Sequence, residues 1–147
     1  MNAAPATDLQ HRIHGAIPLS QVMGYRITEL ADTAITVEAP LGPNINIHGS
    51  GFAGSLYALG ILAAWGLCAH LLDRASLSAD LVVAEATIRY RSPVRSDIVC
   101  HCAVTEAAAE KFIGDLAGRG RSRLSLEVTI GEGPAATIEA VMHASRT

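Results

Sequence analysis

Six stretches of the chain read as β-strands from their apolar and polar positions, and one long stretch between the second and third has no polar rhythm. Tyr25 to Ala31 and Thr33 to Ala39 form a predicted hairpin joined at Asp32, with Ile35 and Val37 on one face of its second strand and Thr36 and Glu38 on the other. Leu81 to Arg91 places Val82, Ala84, Ala86, Ile88 and Tyr90 on one face and Glu85, Thr87, Arg89 and Arg91 on the other, and Pro93 ends it. Asp97 to Ala107 sets Ile98, Cys100, Cys102 and Val104 against Val99, His101, Ala103 and Thr105, so both of its faces read as partly covered. Arg123 to Ile130 is the most regular, with Leu124, Leu126, Val128 and Ile130 inward, and Ala135 to Ala144 closes the chain with Ile138, Ala140 and Met142 on one face. Helical signals elsewhere are brief: a segment from Thr7 or Asp8 ending before Gly15, a single turn from Pro18 to Met23 released by Gly24, and a turn around Glu110 to Leu116.

The stretch without rhythm runs from Gly51 to Leu72, 22 residues free of Asp, Glu, Lys and Arg. Its length suits a membrane span. It is also rich in Gly and Ala, carries His70 and lies among segments that read as soluble strands, and a helix apolar all round is what a core demands when other elements wrap it. The expected architecture is therefore α+β, one long helix buried by a curled antiparallel sheet of about six strands. Small residues such as Gly54 with Ala58 and Gly60 with Ala64 let that sheet approach the helix backbone. At 147 residues and 15.4 kDa the chain is expected to be one domain, residues 1–147, large enough for a core without staples. A net charge of −3 and a pI near 6.0 give no overall field for nucleic acid or an anionic membrane. The opening MNAAPATDLQ lacks the basic and apolar regions of a signal peptide, which makes the cytoplasm the expected compartment. Cys68, Cys100 and Cys102, an odd count, read as reduced thiols. His101 between two of them does not suggest metal, because neighbours on a strand point to opposite faces.

Two segments carry a family resemblance. Asn46-Ile-His-Gly-Ser-Gly-Phe-Ala-Gly-Ser-Leu-Tyr-Ala-Leu, followed later by Ile88-Arg-Tyr-Arg-Ser-Pro-Val, is similar to the thioesterase domain found at the C-terminus of some GNAT-type acetyltransferases, and the order of elements resembles the hotdog fold. The similarity runs from Ile17 to the last strand. It implies a homodimer in which third strands pair across a twofold axis into a continuous sheet, with a dimer of dimers as the alternative. It also implies a thioester substrate, carried by coenzyme A or an acyl carrier protein, with no cofactor beyond coenzyme A as part of the substrate. Many such enzymes carry N-x-x-G-x-x-H-G-G before the helix and an acid two turns into it. Here Asn46, Gly49 and Gly54 match, Phe52 stands at the His position, Ala53 at the next, and Ile61 at the acid position.

The chemistry expected at this junction follows from helix geometry. Free N–H groups at the helix start, around Phe52, Ala53, Gly54 and Ser55, can donate to a thioester carbonyl as it becomes an oxyanion, and Gly49 and Gly54 permit close approach. Asn46 can orient a water and His48 can take its proton; loop structure is the competing reading for Asn44 and Asn46, and plain exposure for His48. Ser55 can hydrogen-bond the reacting group, while Tyr57 contacts substrate or simply packs. Glu85 is the only carboxylate of its strand and a possible replacement for the missing helix acid, against a solvated strand residue as the alternative. Arg119, Arg121 and Arg123 alternate as on one side of an extended segment; with Arg89 and Arg91 they are the candidates for coenzyme A phosphates. The function read from the sequence is thioester hydrolysis, with a non-catalytic acyl-CoA-binding or oligomerisation role as the alternative.

Overall fold

The computed structural model describes residues 3–147. In chain order its elements are α1 (Ala3–Ala16), α2 (Pro18–Met23), β1 (Arg26–Ala31), β2 (Ala34–Ala39), a 3-10 turn (Gly42–Asn44), α3 (Ala53–Arg74), β3 (Ala79–Tyr90), β4 (Ile98–Ala103), α4 (Glu106–Arg119), β5 (Arg121–Ile130) and β6 (Ala136–Arg146). The strands form one antiparallel sheet in the order β1-β2-β4-β5-β6-β3, curled around α3 as in the hotdog fold.

The apolar stretch becomes α3, and its length is used inside the fold: thirteen of its residues, from Leu56 to Leu72, are buried. Close approach is concentrated at Gly60, where an added Cβ would collide with the Ile138 side chain and lie 3.1 Å from Ile130 Cδ1. Ala63, Ala64 and Leu67 are fully buried in the same core. Tyr25 enters from the start of β1, 0% exposed, and donates its hydroxyl to the Leu62 carbonyl at 3.3 Å. The C-terminal end of α3 is pinned by two ion pairs, Arg12 with Asp73 at 3.0 Å and Arg74 with Asp32 at 3.5 Å.

Three features depart from the sequence expectations. Strand β3 does not keep one parity: Leu81 and Val83 face inward, then a β-bulge at Ala84 shifts the register, and Ala86 and Ile88 face inward beyond it. Val82, expected inside, is 54% exposed. The expected turn around Glu110 to Leu116 is a full helix, α4, capped by the Thr105 hydroxyl, which accepts from the Ala108 N–H at 3.1 Å. Ala109, Phe112 and Leu116 form its buried stripe. Strand β4 is shorter than Asp97 to Ala107, and its Val99, His101 and Ala103 face solvent rather than a second layer. Because β4 pairs with β5 only from Val128 to Ile130, the first half of β5 has β6 as its only strand partner among the described residues and packs against α4.

Candidate active site

The loop that leads into α3 is a small closed structure. Ile45 bridges Gly51, the Phe52 N–H donates to the Asn44 carbonyl at 2.7 Å, and the Gly51 N–H donates to the Val94 carbonyl at 2.7 Å. Asn44, 2% exposed, donates from Nδ2 to the Met23 carbonyl at 2.9 Å and the Pro40 carbonyl at 2.8 Å, tying the loop to α2 and the end of β2. Its Oδ1 has no partner. Asn46 braces the tip: Oδ1 accepts from the His48 N–H at 2.9 Å, the Ser50 N–H at 3.1 Å and the Ser50 hydroxyl at 3.3 Å, and Nδ2 donates to Ser50 Oγ at 3.0 Å and the Gly51 carbonyl at 3.4 Å. This is loop structure: the amide's donors and acceptors are engaged by its own hairpin. Gly49 turns the tip at φ +78°, a conformation that a side chain disfavours.

Beyond the loop, Phe52 is the N-cap of α3 and makes no side-chain cap hydrogen bond. The first intrahelical bond is Leu56 N–H to the Phe52 carbonyl at 3.0 Å, so the N–H groups of Ala53, Gly54 and Ser55 have no helical acceptor. The Phe52 ring lies over the first turn, close enough that a Cβ on Gly54 would stand 2.6 Å from its Cε2. Tyr90, at the end of β3, donates its hydroxyl to the Ala53 carbonyl at 2.8 Å and fixes the helix start against the sheet. Burial and then the neighbouring Tyr57 push the Tyr90 phenol above its ordinary range. Sequence reading missed Tyr90 because it counted only as an apolar position; its place at the end of a strand next to Pro93 was the available signal.

The remaining candidates are dispersed. Ser55 and Tyr57 are half-buried on the first turns of α3, and His48 is exposed at the loop tip beside Ile47, which is 95% exposed. Helix α3 does carry one carboxylate, contrary to expectation, but Asp73 is twenty residues from Ala53, about 30 Å along the axis, and is paired to Arg12. Glu85 points to the outer face of the sheet, beside Thr87, Ser125, Glu127 and Glu139 around a shallow pocket. The five arginines split into two groups. Arg89 and Arg91 lie at the junction end of β3, and Arg91 Nη1 donates to Thr137 Oγ1 at 3.1 Å. Arg119 ends α4 rather than extending a strand, yet meets Arg121 and Arg123 of β5 in an open groove far from the junction. His101 Nδ1 pairs with Thr36 Oγ1 at 3.0 Å on the outer face, while Cys100 and Cys102 point into the core with thiols pushed up to about 12 by burial.

A family model described as "Putative thioesterase (yiiD_Cterm)" matches residues 6–142. The chain belongs to that family. Three solved structures align over nearly the whole of both chains. A Chlorobaculum tepidum protein of unknown function is 25% identical with a TM-score of 0.92, covering 97% of this chain and 94% of its own. A Shewanella oneidensis protein, described in the same words as the family, is 28% identical with a TM-score of 0.88 and coverage of 99% and 100%. A Pseudomonas aeruginosa protein of unknown function, named a probable thioesterase, is 25% identical with a TM-score of 0.81 and coverage of 95% and 94%. In this thioesterase-family chain the braced loop leads into a helix start whose Ala53, Gly54 and Ser55 N–H groups have no helical acceptor.

Proposed function

We propose that this protein hydrolyses acyl thioesters of coenzyme A or an acyl carrier protein in the cytoplasm, at the start of α3, in a cleft completed by a second copy. The observation that carries the reading is the set of three N–H groups, on Ala53, Gly54 and Ser55, without helical acceptors at the positive end of a 22-residue helix. Their approach is held by the Asn44 and Asn46 braces and by Tyr90. Strand β3 supports the second copy, being a twelve-residue edge strand with one side unpaired in the chain.

In the reaction the carbonyl oxygen accepts hydrogen bonds from the helix start as charge develops on it. Water attacks the carbonyl carbon, the tetrahedral intermediate collapses, the C–S bond breaks, and the acid and the thiol leave. His48, exposed at the loop tip, takes the proton from water and returns it to the thiolate; the Ser55 hydroxyl orients the water. Asn46 acts by holding the loop. Phe52 and Tyr57 line the acyl path, and Arg89 and Arg91 lie nearest for the carrier's phosphates. Coenzyme A enters only as part of the substrate, and no metal takes part.

A second reading, a non-catalytic acyl-CoA-binding module, draws on the absence of a carboxylate on the first turns of α3 itself. One assay separates the two. Purified protein is incubated with acyl-CoAs of graded chain length and released thiol is titrated. Turnover above a heat-killed control supports the hydrolase; saturable binding with no release from any chain length overturns it in favour of the module.

A further inference from the structure

The groove between α4 and the outer face of β5 and β6 has a chemistry that the hydrolytic site does not use. It is open to solvent, has a volume of about 950 Å³ and is lined by Lys111 and Arg119 of α4, Arg121 and Arg123 of β5, and His143 of β6. Asp115 is the only acid on it, and it is paired to Lys111 at 2.9 Å. Four cations against one carboxylate give a local charge of +3 on a chain whose formal net charge is −3. Among the described residues, none of Arg119, Arg121 and Arg123 makes an ion pair. Ser122, between two of these arginines, also borders the groove, but its side chain is 6% exposed and shares the inward parity of Leu124 and Leu126, so its unpartnered hydroxyl faces the core and not the arginines.

The arrangement is set by the fold. Gly120 closes α4 in a left-handed conformation and turns the chain directly into β5, so Arg119 at the helix end stands beside Arg121 and Arg123 on the strand. Arg123 pairs with His143 across the ladder, which adds a third element to the same side. Unpaired guanidiniums converging on a concave surface match the forked acceptors of phosphate groups better than a single flat acid.

We propose that this groove binds a multiply charged phosphate anion of the diphosphate or bisphosphate class, free or at the end of a nucleotide. The site is separate from the candidate active site of its own chain. Arg121 pairs with Ser145 and Ser145 with Asp80, at the start of β3, whereas Tyr90 at the other end of β3 holds Ala53. The Arg123 row likewise meets β3 at Val82 through His143, so ten and eight residues of strand, about 26–33 Å, separate these rows from Tyr90. Within one chain the groove thus stands apart from the start of α3, and its binding is tested without turnover.

Isothermal titration of the whole protein with pyrophosphate, adenosine 3′,5′-bisphosphate and coenzyme A provides the test. Saturable binding of at least one probe, weakening with added sodium chloride, is expected. Comparable binding of pyrophosphate and the nucleotides identifies a free-anion site; preference for a nucleotide by tenfold or more identifies the nucleotide-borne form. Arg123→Glu should weaken binding at least tenfold, and the charge-matched Arg26→Glu on the opposite edge strand less than twofold. If Arg123→Glu does not fold, Arg119→Gln with Arg121→Gln gives the same readout. Binding of none of the probes, or binding that Arg123→Glu weakens no more than Arg26→Glu does, overturns the proposal, as does binding of an acidic carrier protein at this groove with no response to any phosphate probe.

Discussion

Replacing Asn46 by Ala tests whether this residue holds the loop or merely decorates it. The substitution removes one acceptor serving the His48 and Ser50 N–H groups and the Ser50 hydroxyl, and one donor to Ser50 and Gly51. Each hydrogen bond contributes about 1 kcal/mol net, and a buried donor left without a partner costs about 1–3 kcal/mol. Water can replace the bond to the exposed His48 N–H, but Ser50 is only 6% exposed, so its groups bear most of the loss. The expected destabilisation is about 2–3 kcal/mol, a shift of roughly 1 M in the urea midpoint for an ordinary slope. A domain of typical stability, about 5–15 kcal/mol, stays folded. Thioester hydrolysis should fall at least tenfold, because the loop that sets the entry to α3 is no longer fixed. Asn46→Asp keeps the acceptor and loses only the donor, and should recover at least half of the stability. Urea denaturation alongside thiol release measures both effects. An Asn46→Ala protein within about 0.5 kcal/mol of the parent would refute the bracing argument, since that is below one hydrogen bond.

Three further outcomes follow from the packing and charges. Gly60→Ala gains about 1 kcal/mol of helix propensity, but it drives a methyl into Ile138 and Ile130, both 0% exposed and unable to swing into solvent; overpacking of about 1–3 kcal/mol should win, giving a lower melting temperature. The His70 imidazole is held below its ordinary value of 6.5, first by burial and then by Arg74. Between that lowered value and 6.5 the unfolded chain binds a proton that the folded chain does not, so stability should fall as pH drops through this window and His70→Gln should flatten the dependence in urea titrations at several pH values. Glu127 and Glu139 stand directly opposite on the exposed face of β5 and β6, so Glu139→Gln should raise stability by a few tenths to about 1 kcal/mol, more at low salt, and a loss would show that the pair is compensated.

The parts of the fold that were legible in the sequence are those where one periodicity holds from end to end. Helix α3 announced itself because no polar residue interrupts it from Leu56 to Leu67, and β5 because Leu124 to Ile130 alternates without a break. Strand β3 misled because the bulge at Ala84 reverses the faces halfway, and alternation carries no mark of an inserted residue. Helix α4 was shortened because Gly114 and Gly118 weaken its pattern; packing of Phe112 and Leu116 overrides that local preference. At the site, the residue types around Asn46 and Gly54 were readable, but the direction of the Asn46 amide was not. An Asn beside a Gly-rich turn serves equally as a brace or as a water ligand until its partners are known. The groove was half visible: alternation put Arg121 and Arg123 together, whereas Lys111 and His143 join them only through tertiary packing.

The central claim is that the start of α3 holds the thioester carbonyl. A crystal structure of the protein with a ketone analogue of an acyl-CoA, in which a methylene group replaces the thioester sulfur, tests it most directly. The account predicts the carbonyl oxygen within about 3 Å of at least one N–H of Ala53, Gly54 or Ser55. A carbonyl bound elsewhere, with those N–H groups facing solvent, would contradict it.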